Sequence, residues 1–483
     1  MRVLLACIAA IIAPLATEAA AQEPENPAPA DFAGNWMGTL DVGAAQLRLR
    51  FVVTEDEGAL SVAVFSLDQG NAEIPNVSIA ASGATITVSM PAAGASYEGT
   101  FSAEDGKITG TFTQAGADFP LVLERVSEEE TDVSRPQDPI EPYPYLAEDV
   151  TYPNPDGGHT MAGTFTRPAD GGPFPAVILI SGSGPQDRNE ALMGHRPFLV
   201  LADHLTRRGI AVLRYDDRGV GQSTGAFATA TTPDFASDAL AAVAYLKTRD
   251  DVNPAAIGLA GHSEGGVVAP IAAAESDDVS YIVLMAGTGV NGERILYAQG
   301  ALILRAGGAT EDAIASNRAR QERIFEVFKS EPDPERAGQA IESIIRASLE
   351  TATDAELALA GITDSASAET VIAAQVQQLN TPWFRYFLTY EPAEMIEQVT
   401  VPVLAINGEK DLQVPHEENL REIEAALQRG GNTRYEIRAF PDLNHLFQHS
   451  ETGAPSEYQA IEETWSVEVM EVIADWILKT VGG

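Results

Sequence analysis

Apolar and polar positions alternate with two different periods along the chain, and the change falls around residues 127–145. Between residues 31 and 126, runs such as 46–53, 84–90 and 107–112 alternate with period two, and glycine, aspartate and asparagine separate them. Such alternation is typical of strands that bury one face. The pattern therefore predicts a small antiparallel all-β domain, a barrel or a sandwich, over residues 22–126.

From residue 146 to residue 483, short runs rich in valine, isoleucine and leucine alternate with helical stretches. The predicted strands are 176–180, 210–215, 256–260, 281–285, 401–407 and 434–440, and the predicted helices include 196–208, 237–248, 265–274, 417–428 and 467–479. Continuous apolar strands separated by helices indicate a mostly parallel sheet covered on both faces. Between residues 288 and 398 the alternation gives way to a long helical insertion, and this predicts a lid over a site.

Residues 127–145 separate the two regions. The segment contains three consecutive glutamates at positions 128–130 and prolines at positions 136, 139, 142 and 144. Few apolar side chains precede Tyr143, so the segment offers little to a hydrophobic core. We predict an extended, acidic, proline-rich linker.

The composition places limits on the partners of the protein. A chain of 483 residues with 45% hydrophobic and 21% charged residues is typical of a globular protein, and at roughly 100–200 residues per domain it holds two or three domains. Lysine and arginine number 30 against 70 aspartates and glutamates, which gives a net charge of −40. This field repels phosphate backbones and anionic lipid headgroups, so nucleic acid is not an expected partner.

The first 21 residues have the three zones of a secretory signal. A charged start and an apolar run over residues 3–15 are followed by three alanines at positions 19–21, directly before Gln22. A membrane anchor is the weaker interpretation, because about 13 apolar residues fall short of the roughly 20 that span a bilayer. We expect cleavage after Ala21 and a periplasmic or extracellular protein without membrane insertion. Cys7 is the one cysteine, so the mature chain would have no thiol chemistry.

The string Gly261-His-Ser263-Glu-Gly265 stands between a predicted strand and a predicted helix. It fits the pattern G-x-S-x-G in the context that a nucleophile elbow requires. Glycines at both ends permit a sharp turn in which larger side chains would collide, and the turn holds the serine hydroxyl clear of the sheet. We therefore predict that Ser263 is a nucleophile.

A serine hydroxyl needs a base, and the base needs a third group that orients it. The loops after two later predicted strands contain Asp411 and His445, in the chain order Ser, Asp, His. An α/β sheet displays its site at the carboxyl ends of its strands. We predict that His445 is the base and Asp411 the orienting acid, with Asp442 and Glu409 as alternatives for the acid.

Three other histidines compete for the role of base. His449 stands four residues beyond His445 and stays open as an alternative. His262 neighbours the serine in sequence, but adjacent residues on a tight elbow point apart, so we expect it to support the turn. His416 follows a valine and a proline and is expected to begin a helix.

A glycine-rich loop, Ser181-Gly-Ser183-Gly-Pro-Gln-Asp-Arg188, follows the predicted strand 176–180. Its glycines allow the backbone to turn beneath a substrate carbonyl. We assign the two donors of an oxyanion hole to the backbone N–H groups of Ser183 and Glu264. A phosphate-binding loop is the rival interpretation, but the lysine of a P-loop is absent.

These motifs, together with the stretch from Tyr215 to Thr224 (YDDRGVGQST), resemble the α/β-hydrolase superfamily. The resemblance is to bacterial serine esterases grouped with the serine aminopeptidase-like hydrolases, some of which carry a β-rich N-terminal domain. It covers about residues 146–483, and the N-terminal domain more loosely. It implies an α/β-hydrolase fold, a mostly parallel sheet with a helical lid. Where lipases often have His-Gly, this chain has Ser181-Gly182, which leaves the backbone donor unaffected.

Two further groups of residues receive supporting roles. We expect Asp217 and Arg218 to form a buried ion pair that fixes loops near the site. Trp383, Phe384 and Phe387 stand at the end of the insertion. These aromatic side chains either line an acyl or aromatic pocket or pack the lid onto the core.

Neither a metal nor a cofactor is expected. The seven histidines show no H-E-x-x-H or H-x-H pattern, and no dinucleotide fingerprint follows the first strand of the α/β region. We predict a secreted serine carboxylesterase that cleaves small-molecule esters through an acyl-enzyme intermediate. A serine peptidase or amidase with the same triad stays open, as does a non-catalytic protein that binds a lipophile or a glycan. The sequence also leaves open whether the chain forms a homodimer.

Overall fold

The computed structural model describes residues 29–41, 46–56, 58–67, 72–74, 77–114, 117–127, 135–350 and 365–482, together with residues 352, 357 and 362. The predicted signal segment lies outside these residues. Contacts within the chain divide it into two units, Met1–Thr131 and Asp132–Gly483. The division falls within the segment that the sequence predicts to be a linker.

The N-terminal unit is an antiparallel sheet preceded by a short helix. Its elements are α1 (Pro29–Phe32), β1 (Gly34–Asp41), β2 (Gln46–Asp56), β3 (Ala59–Ser66), β4 (Ala72–Glu73), β5 (Ser78–Ser82), β6 (Thr85–Met90), β7 (Ala95–Ser102), β8 (Lys107–Gln114) and β9 (Ala117–Val126). The nine strands lie in the order β4-β3-β2-β1-β9-β8-β7-β6-β5. Because β3, next to one end of this order, approaches β5 at the other end, the sheet curls round on itself.

Large side chains fill the inner face of this curled sheet. Trp36, Phe51 and Tyr97 are fully buried there. The hydroxyl of Tyr97 donates to the backbone carbonyls of Ile108 and Leu121, at 3.2 and 3.3 Å. The period-two pattern places these apolar side chains on one face of their strands. The observed sheet confirms the predicted antiparallel β domain.

The C-terminal unit contains an eight-stranded mixed sheet. Its strands are β10 (Tyr145–Asn154), β11 (His159–Pro168), β12 (Phe174–Ile180), β13 (Ala211–Tyr215), β14 (Val252–His262), β15 (Tyr281–Met285), β16 (Val403–Gly408) and β17 (Tyr435–Phe440). They lie in the order β10-β11-β13-β12-β14-β15-β16-β17. β11 pairs antiparallel with β10 and β13, and the remaining pairs are parallel. The edge hairpin β10–β11 was not predicted from the sequence, because β10 is mostly exposed and its apolar positions do not alternate regularly.

The helices of this unit cover both faces of the sheet or belong to the insertion between β15 and β16. In chain order they are α2 (Pro197–Arg207), α3 (Thr232–Lys247), α4 (Gly265–Glu275), α5 (Gly292–Ala306), α6 (Glu311–Ser330), α7 (Pro334–Leu349), α8 (Ser365–Leu379), α9 (Pro382–Thr389), α10 (Pro392–Ile396), α11 (His416–Arg429) and α12 (Val467–Gly482). Val177 and Ile178, neighbours on β12, point to opposite faces. Ile178 packs in the core under α3, α4 and α11, and Val177 packs in the core under α2 and α12.

The insertion between β15 and β16 forms a helical subdomain with a core of its own. Phe325, Phe328 and Ile341, on α6 and α7, pack there with Phe384 and Leu388 on α9. This arrangement agrees with the helical insertion that the broken alternation predicts. Among the helices of the described segments, none is long and apolar enough to cross a bilayer.

The stretch that precedes β10 lies against the C-terminal unit. The guanidinium of Arg135 donates to four backbone carbonyls, those of Met193, Gly194, Gln459 and Ile461. The side chain of Gln137 bonds with the backbone of Thr464 and Trp465. These contacts join residues more than 50 positions apart, so the local composition gives no sign of them.

Candidate active site

Ser263 lies at the junction of β14 and α4, with a left-handed backbone φ of 52°. Non-glycine residues rarely adopt this conformation, which persists where the surrounding structure enforces it. A Cβ on Gly261 would approach the carbonyl oxygen of Gly265 to 1.9 Å, and a Cβ on Gly265 would approach that of Ile180 to 2.2 Å. Close backbone packing therefore requires glycine on both sides of the serine, as in a nucleophile elbow.

The imidazole of His445 is bound on one side by Asp411. Its Nδ1 lies 2.8 Å from Oδ2 of Asp411, and both residues are buried. The other carboxylate oxygen, Oδ1, accepts the backbone N–H groups of Gln413 and Val414, each at 2.8 Å. A carboxylate on Nδ1 fixes the tautomer, so the lone pair of the neutral imidazole lies on Nε2.

The competing acid and base have other partners. Asp442 is exposed and forms an ion pair with Lys410 at 2.9 Å, which holds the pKa of its carboxyl below the ordinary value. His449 is exposed and bonds from Nδ1 to Glu463 at 2.8 Å. Neither contacts His445, so the geometry favours the residues assigned from the sequence.

Ser263 and His445 line one cavity of about 360 Å³. Ser183 and Glu264 also line it, and a Cβ on Gly182 would lie only 3.2 Å from the Cβ of Ser263. In the described part of the chain, no backbone carbonyl accepts the N–H of Ser183 or of Glu264. Ser183 and Glu264 therefore each bring to the wall of this cavity an N–H group that has no backbone partner among the described residues.

The side chain of Glu264 joins three elements around the cavity. Its Oε1 accepts from the hydroxyl of Thr232, at the start of α3, at 2.7 Å and from the indole Nε1 of Trp383, on α9, at 2.6 Å. Burial raises the pKa of the carboxyl, and the donors Trp383, Thr232 and Ser183 oppose this shift. Only the backbone N–H of Glu264 was assigned a role from the sequence, because nothing local indicates the partners of its side chain.

His262 supports the elbow, as its place in the sequence suggested. Its Nδ1 lies 2.8 Å from Oε1 of Glu190, and its Nε2 lies 3.0 Å from the backbone oxygen of His445. Glu190 is buried and also accepts the N–H of Gly182 at 2.7 Å. Glu190 was not predicted from the sequence, since it belongs to none of the motifs around the site.

The predicted ion pair between Asp217 and Arg218 is wrong. Arg218 donates from Nε to Oδ2 of Asp238 at 2.7 Å. Asp217 instead accepts from the hydroxyl of Ser181 at 2.8 Å and from the backbone N–H of Gln186 at 2.9 Å. It therefore holds the glycine-rich loop, and burial, together with the charges of Glu264 and Glu190, raises the pKa of its carboxyl to about 7.

The three aromatic residues predicted for a pocket divide between two environments. Trp383 and Phe387, one helical turn apart on α9, line the cavity with stacked rings 5.1 Å between centroids. The assignment of Phe384 to the pocket is wrong, because its ring packs against Phe328 and Phe325 in the core of the insertion, 5.3 and 6.2 Å between centroids. Neighbouring positions on a helix face different directions, which separates Phe384 from Trp383.

The sheet order, the elbow and the buried residues around the cavity define a hydrolase with the α/β-hydrolase fold. The chain belongs to the S15 peptidase family, described as X-Pro dipeptidyl-peptidase, whose sequence profile matches residues 156–438. The matched range includes Ser263 and Asp411, and His445 follows it.

Relatives of known name include an esterase. The chain is 27% identical to "Esterase EstD" of Thermotoga maritima over 346 residues, 71% of this chain and 70% of that protein. It is 33% identical to "Uncharacterized protein YfhR" of Salmonella typhi over 125 residues, 26% of this chain and 40% of that protein. Among solved structures, hypothetical protein PA2218 of Pseudomonas aeruginosa has a TM-score of 0.44 at 16% identity, covering 74% of this chain and 98% of that one. The α/β hydrolase GrgF of Penicillium sp. sh18 has a TM-score of 0.42 at 18% identity, covering 70% and 100%.

Proposed function

We propose that this protein is a serine carboxylesterase that works through an acyl-enzyme intermediate. The observation that carries the proposal is the cavity shared by Ser263 and His445, with Asp411 bound to the imidazole. Ser263 attacks the acyl carbonyl while Nε2 of His445 takes its proton, and Asp411 stabilises the imidazolium. The N–H groups of Ser183 and Glu264 bind the oxyanion, and one such donor is typically worth roughly 2.7–4 kcal/mol.

The first tetrahedral intermediate collapses as His445 gives its proton to the leaving alcohol, and the acyl group stays bonded to Ser263. In the second half of the reaction, His445 takes a proton from a water molecule. The water attacks the acyl carbonyl, the same two N–H groups stabilise the second oxyanion, and the acid leaves as Ser263 is regenerated. All of these steps use groups of the chain itself.

Two observations support an ester as the substrate. A relative that matches 71% of this chain is named as an esterase. The cavity wall is largely apolar, with Val290, Ile295, Leu296, Trp383 and Phe387 among its residues, and this suits an uncharged acyl group. An ester also makes fewer demands on the site than an amide, since an alkoxide leaves more readily than an amide anion and the nitrogen must therefore be protonated before the C–N bond breaks.

A serine peptidase is the second candidate, favoured by the description of the S15 family. The two candidates separate when p-nitrophenyl esters of increasing acyl length are assayed beside aminoacyl and X-Pro p-nitroanilides. The ester proposal expects kcat/KM for the best ester to exceed that for every anilide by orders of magnitude. A larger kcat/KM for an X-Pro anilide would replace it with the peptidase.

The assigned residues are tested by substitution. Because the three side chains act as a unit, Ser263→Ala and His445→Ala each remove nearly all turnover, and Asp411→Asn costs the same or less. Asp442→Asn is the matched control, an exposed aspartate that pairs with Lys410, and it retains turnover. A fluorophosphonate reacts at Ser263, located by mass spectrometry. Labelling at another residue, or loss of turnover in the control, contradicts the assignment.

We also propose that the protein acts outside the cytoplasm. The support is the pattern of residues 1–21, with its charged start, its apolar run and its small residues before Gln22.

A further inference from the structure

Glu190 and His262 form a buried pair directly behind the proposed catalytic residues. Their relative exposures are 4% and 5%, and Nδ1 of His262 lies 2.8 Å from Oε1 of Glu190. Glu190 has a left-handed φ of 51°, a conformation that is costly for a glutamate and therefore enforced by its surroundings. Neither residue has a step in the mechanism above.

The partners of His262 determine its charge. Nδ1 faces the carboxylate of Glu190, and Nε2 faces the backbone carbonyl oxygen of His445 at 3.0 Å. Both partners are acceptors, and a neutral imidazole has only one N–H to donate. Satisfying both contacts requires a proton on each nitrogen, so the hydrogen bonds describe an imidazolium beside a carboxylate.

The electrostatic surroundings agree with this charge. Although burial lowers the pKa of His262, the charge and hydrogen bond of Glu190, the carbonyl of His445 and the charge of Asp411 outweigh it, and the pKa is raised. The titratable groups that face His262 are Glu190 after β12, Asp411 after β16 and His445 after β17, whose ring lies 4.8 Å away between centroids.

The pair connects three loops whose positions relative to one another matter for the reaction. Oε1 of Glu190 accepts the N–H of Gly182, at the start of the glycine-rich loop, at 2.7 Å. His262 belongs to the elbow and precedes Ser263. Its Nε2 holds the backbone of His445, the proposed base. One ion pair therefore joins the glycine-rich loop, which provides the proposed oxyanion donor Ser183, to the nucleophile and the base.

We propose that Glu190 and His262 are positioning residues, and that their ion pair sets the oxyanion loop and the base relative to Ser263. The inference rests on the proposed function, because it assigns the purpose of the pair by reference to those catalytic residues. Loss of the pair displaces reacting groups without touching the substrate, so it lowers kcat more than it changes KM.

The decisive variant is Glu190→Gln, which keeps the shape and removes the charge. His262 then loses the carboxylate that stabilises its charged form. In the neutral form with a proton on Nδ1, the lone pair of Nε2 faces the carbonyl oxygen of His445, and that hydrogen bond is lost. At pH 8 we expect kcat for p-nitrophenyl acetate, per fluorophosphonate-reactive site, to fall about 10- to 100-fold, with KM changed less than about twofold.

The pH dependence distinguishes this role from a purely steric one. As the pH falls, His262 in the Glu190→Gln protein regains its second proton and both hydrogen bonds. The loss of kcat in Glu190→Gln relative to wild type therefore becomes smaller between pH 8 and pH 5.5. His262→Gln cannot titrate, so its deficit stays constant over the same range. Glu190→Asp keeps the charge and retains more activity than Glu190→Gln.

Glu463→Gln is the matched control. Oε2 of Glu463 accepts both the Nδ1–H and the backbone N–H of His449, each at 2.8 Å, which resembles the bonding of Glu190 but at a partly exposed position. We expect wild-type kcat and pH profile from this variant. Thermal unfolding of each variant identifies any that fails to fold. If Glu190→Gln fails to fold, the proposal is tested by the other two variants: the loss of kcat in His262→Gln should be the same at every pH, and Glu190→Asp should retain activity.

Two results overturn the inference. The first is wild-type kcat in folded Glu190→Gln or in folded His262→Gln, and the second is a deficit of Glu190→Gln that is the same at every pH. Failure of the proposed function is separate and is recognised in the wild-type protein, as absent fluorophosphonate labelling at Ser263 or undiminished turnover in Ser263→Ala.

Discussion

The indole Nε1 of Trp383 donates a 2.6 Å hydrogen bond to Oε1 of Glu264. Trp383 lies on α9 of the insertion, and Glu264 is the residue that follows Ser263 at the elbow. One residue therefore carries both a contact to the insertion and a backbone N–H assigned to the oxyanion hole. The position of the insertion is coupled in this way to the site that binds the substrate carbonyl.

This contact leads to a prediction about acyl selectivity. Trp383→Phe keeps an aromatic ring stacked near Phe387 but removes the N–H, so Glu264 loses one donor and the cavity wall loosens. We expect kcat/KM for long-chain p-nitrophenyl esters relative to acetate to change by about tenfold, since a contribution of 1.4 kcal/mol corresponds to that factor. The melting temperature changes by only a few degrees.

Phe384→Leu is the control for this experiment, because its ring packs in the core of the insertion and does not line the cavity. It lowers stability while the acyl-length profile keeps its shape. Equal losses of kcat/KM on short and long esters with Trp383→Phe, together with a large fall in melting temperature, would show that Trp383 serves packing alone.

The buried carboxyl of Asp217 makes stability depend on pH. Its pKa in the folded protein is about 7, raised by burial from the ordinary value of 3.8. Between pH 3.8 and about pH 7, the folded state holds a proton on Asp217 that the unfolded state has released. The free energy of unfolding therefore falls as the pH rises through this range, and it levels off above pH 7. At 1.36 kcal/mol per pKa unit, the contribution is about 4 kcal/mol at most.

Asp217→Asn removes this dependence, because the amide resembles the protonated acid. We expect the stability of the variant to improve relative to wild type between pH 4.5 and pH 8, measured by urea unfolding. Asp442→Asn is the comparison: Lys410 lowers the pKa of the exposed Asp442, so any trend there has the opposite sign. Parallel stability curves for wild type and Asp217→Asn would contradict the prediction.

The boundary of the C-terminal unit predicts the result of truncation. A protein that begins at Asp132 keeps Arg135 and Gln137, which bond to the backbone of this unit, and it should react with a fluorophosphonate at Ser263. A protein that begins at Tyr145 loses those hydrogen bonds and should melt about 5 °C lower. A folded Asp132 protein that cannot be labelled would show that the β domain takes part in the site.

The pattern of residues 1–21 predicts processing on export. We expect protein purified from the native host to begin at Gln22, since small residues at positions 19–21 suit a signal peptidase. Amino-terminal sequencing or intact-mass measurement decides this. A mature protein that still carries Met1 would overturn the proposed location.

Local signals account for what the sequence determined. The period of the apolar positions located the strands of the parallel sheet to within a few residues, and β15 over its full length, Tyr281–Met285. Glycines around Ser263 marked the elbow, because only a residue without a Cβ tolerates such close backbone contacts. The loops after two strands indicated Asp411 and His445, because parallel strands end at the same edge of their sheet.

Only the tertiary structure decided which side chains meet. No local pattern indicated that Arg218 would pair with Asp238 rather than with its neighbour Asp217, or that Glu190 would bind His262. Such partners lie many residues apart, and their approach depends on how helices and loops pack on the sheet. A repeating pattern reports which face of an element is buried, whereas a hydrogen bond depends on direction and distance, and these exist only once the chain has folded.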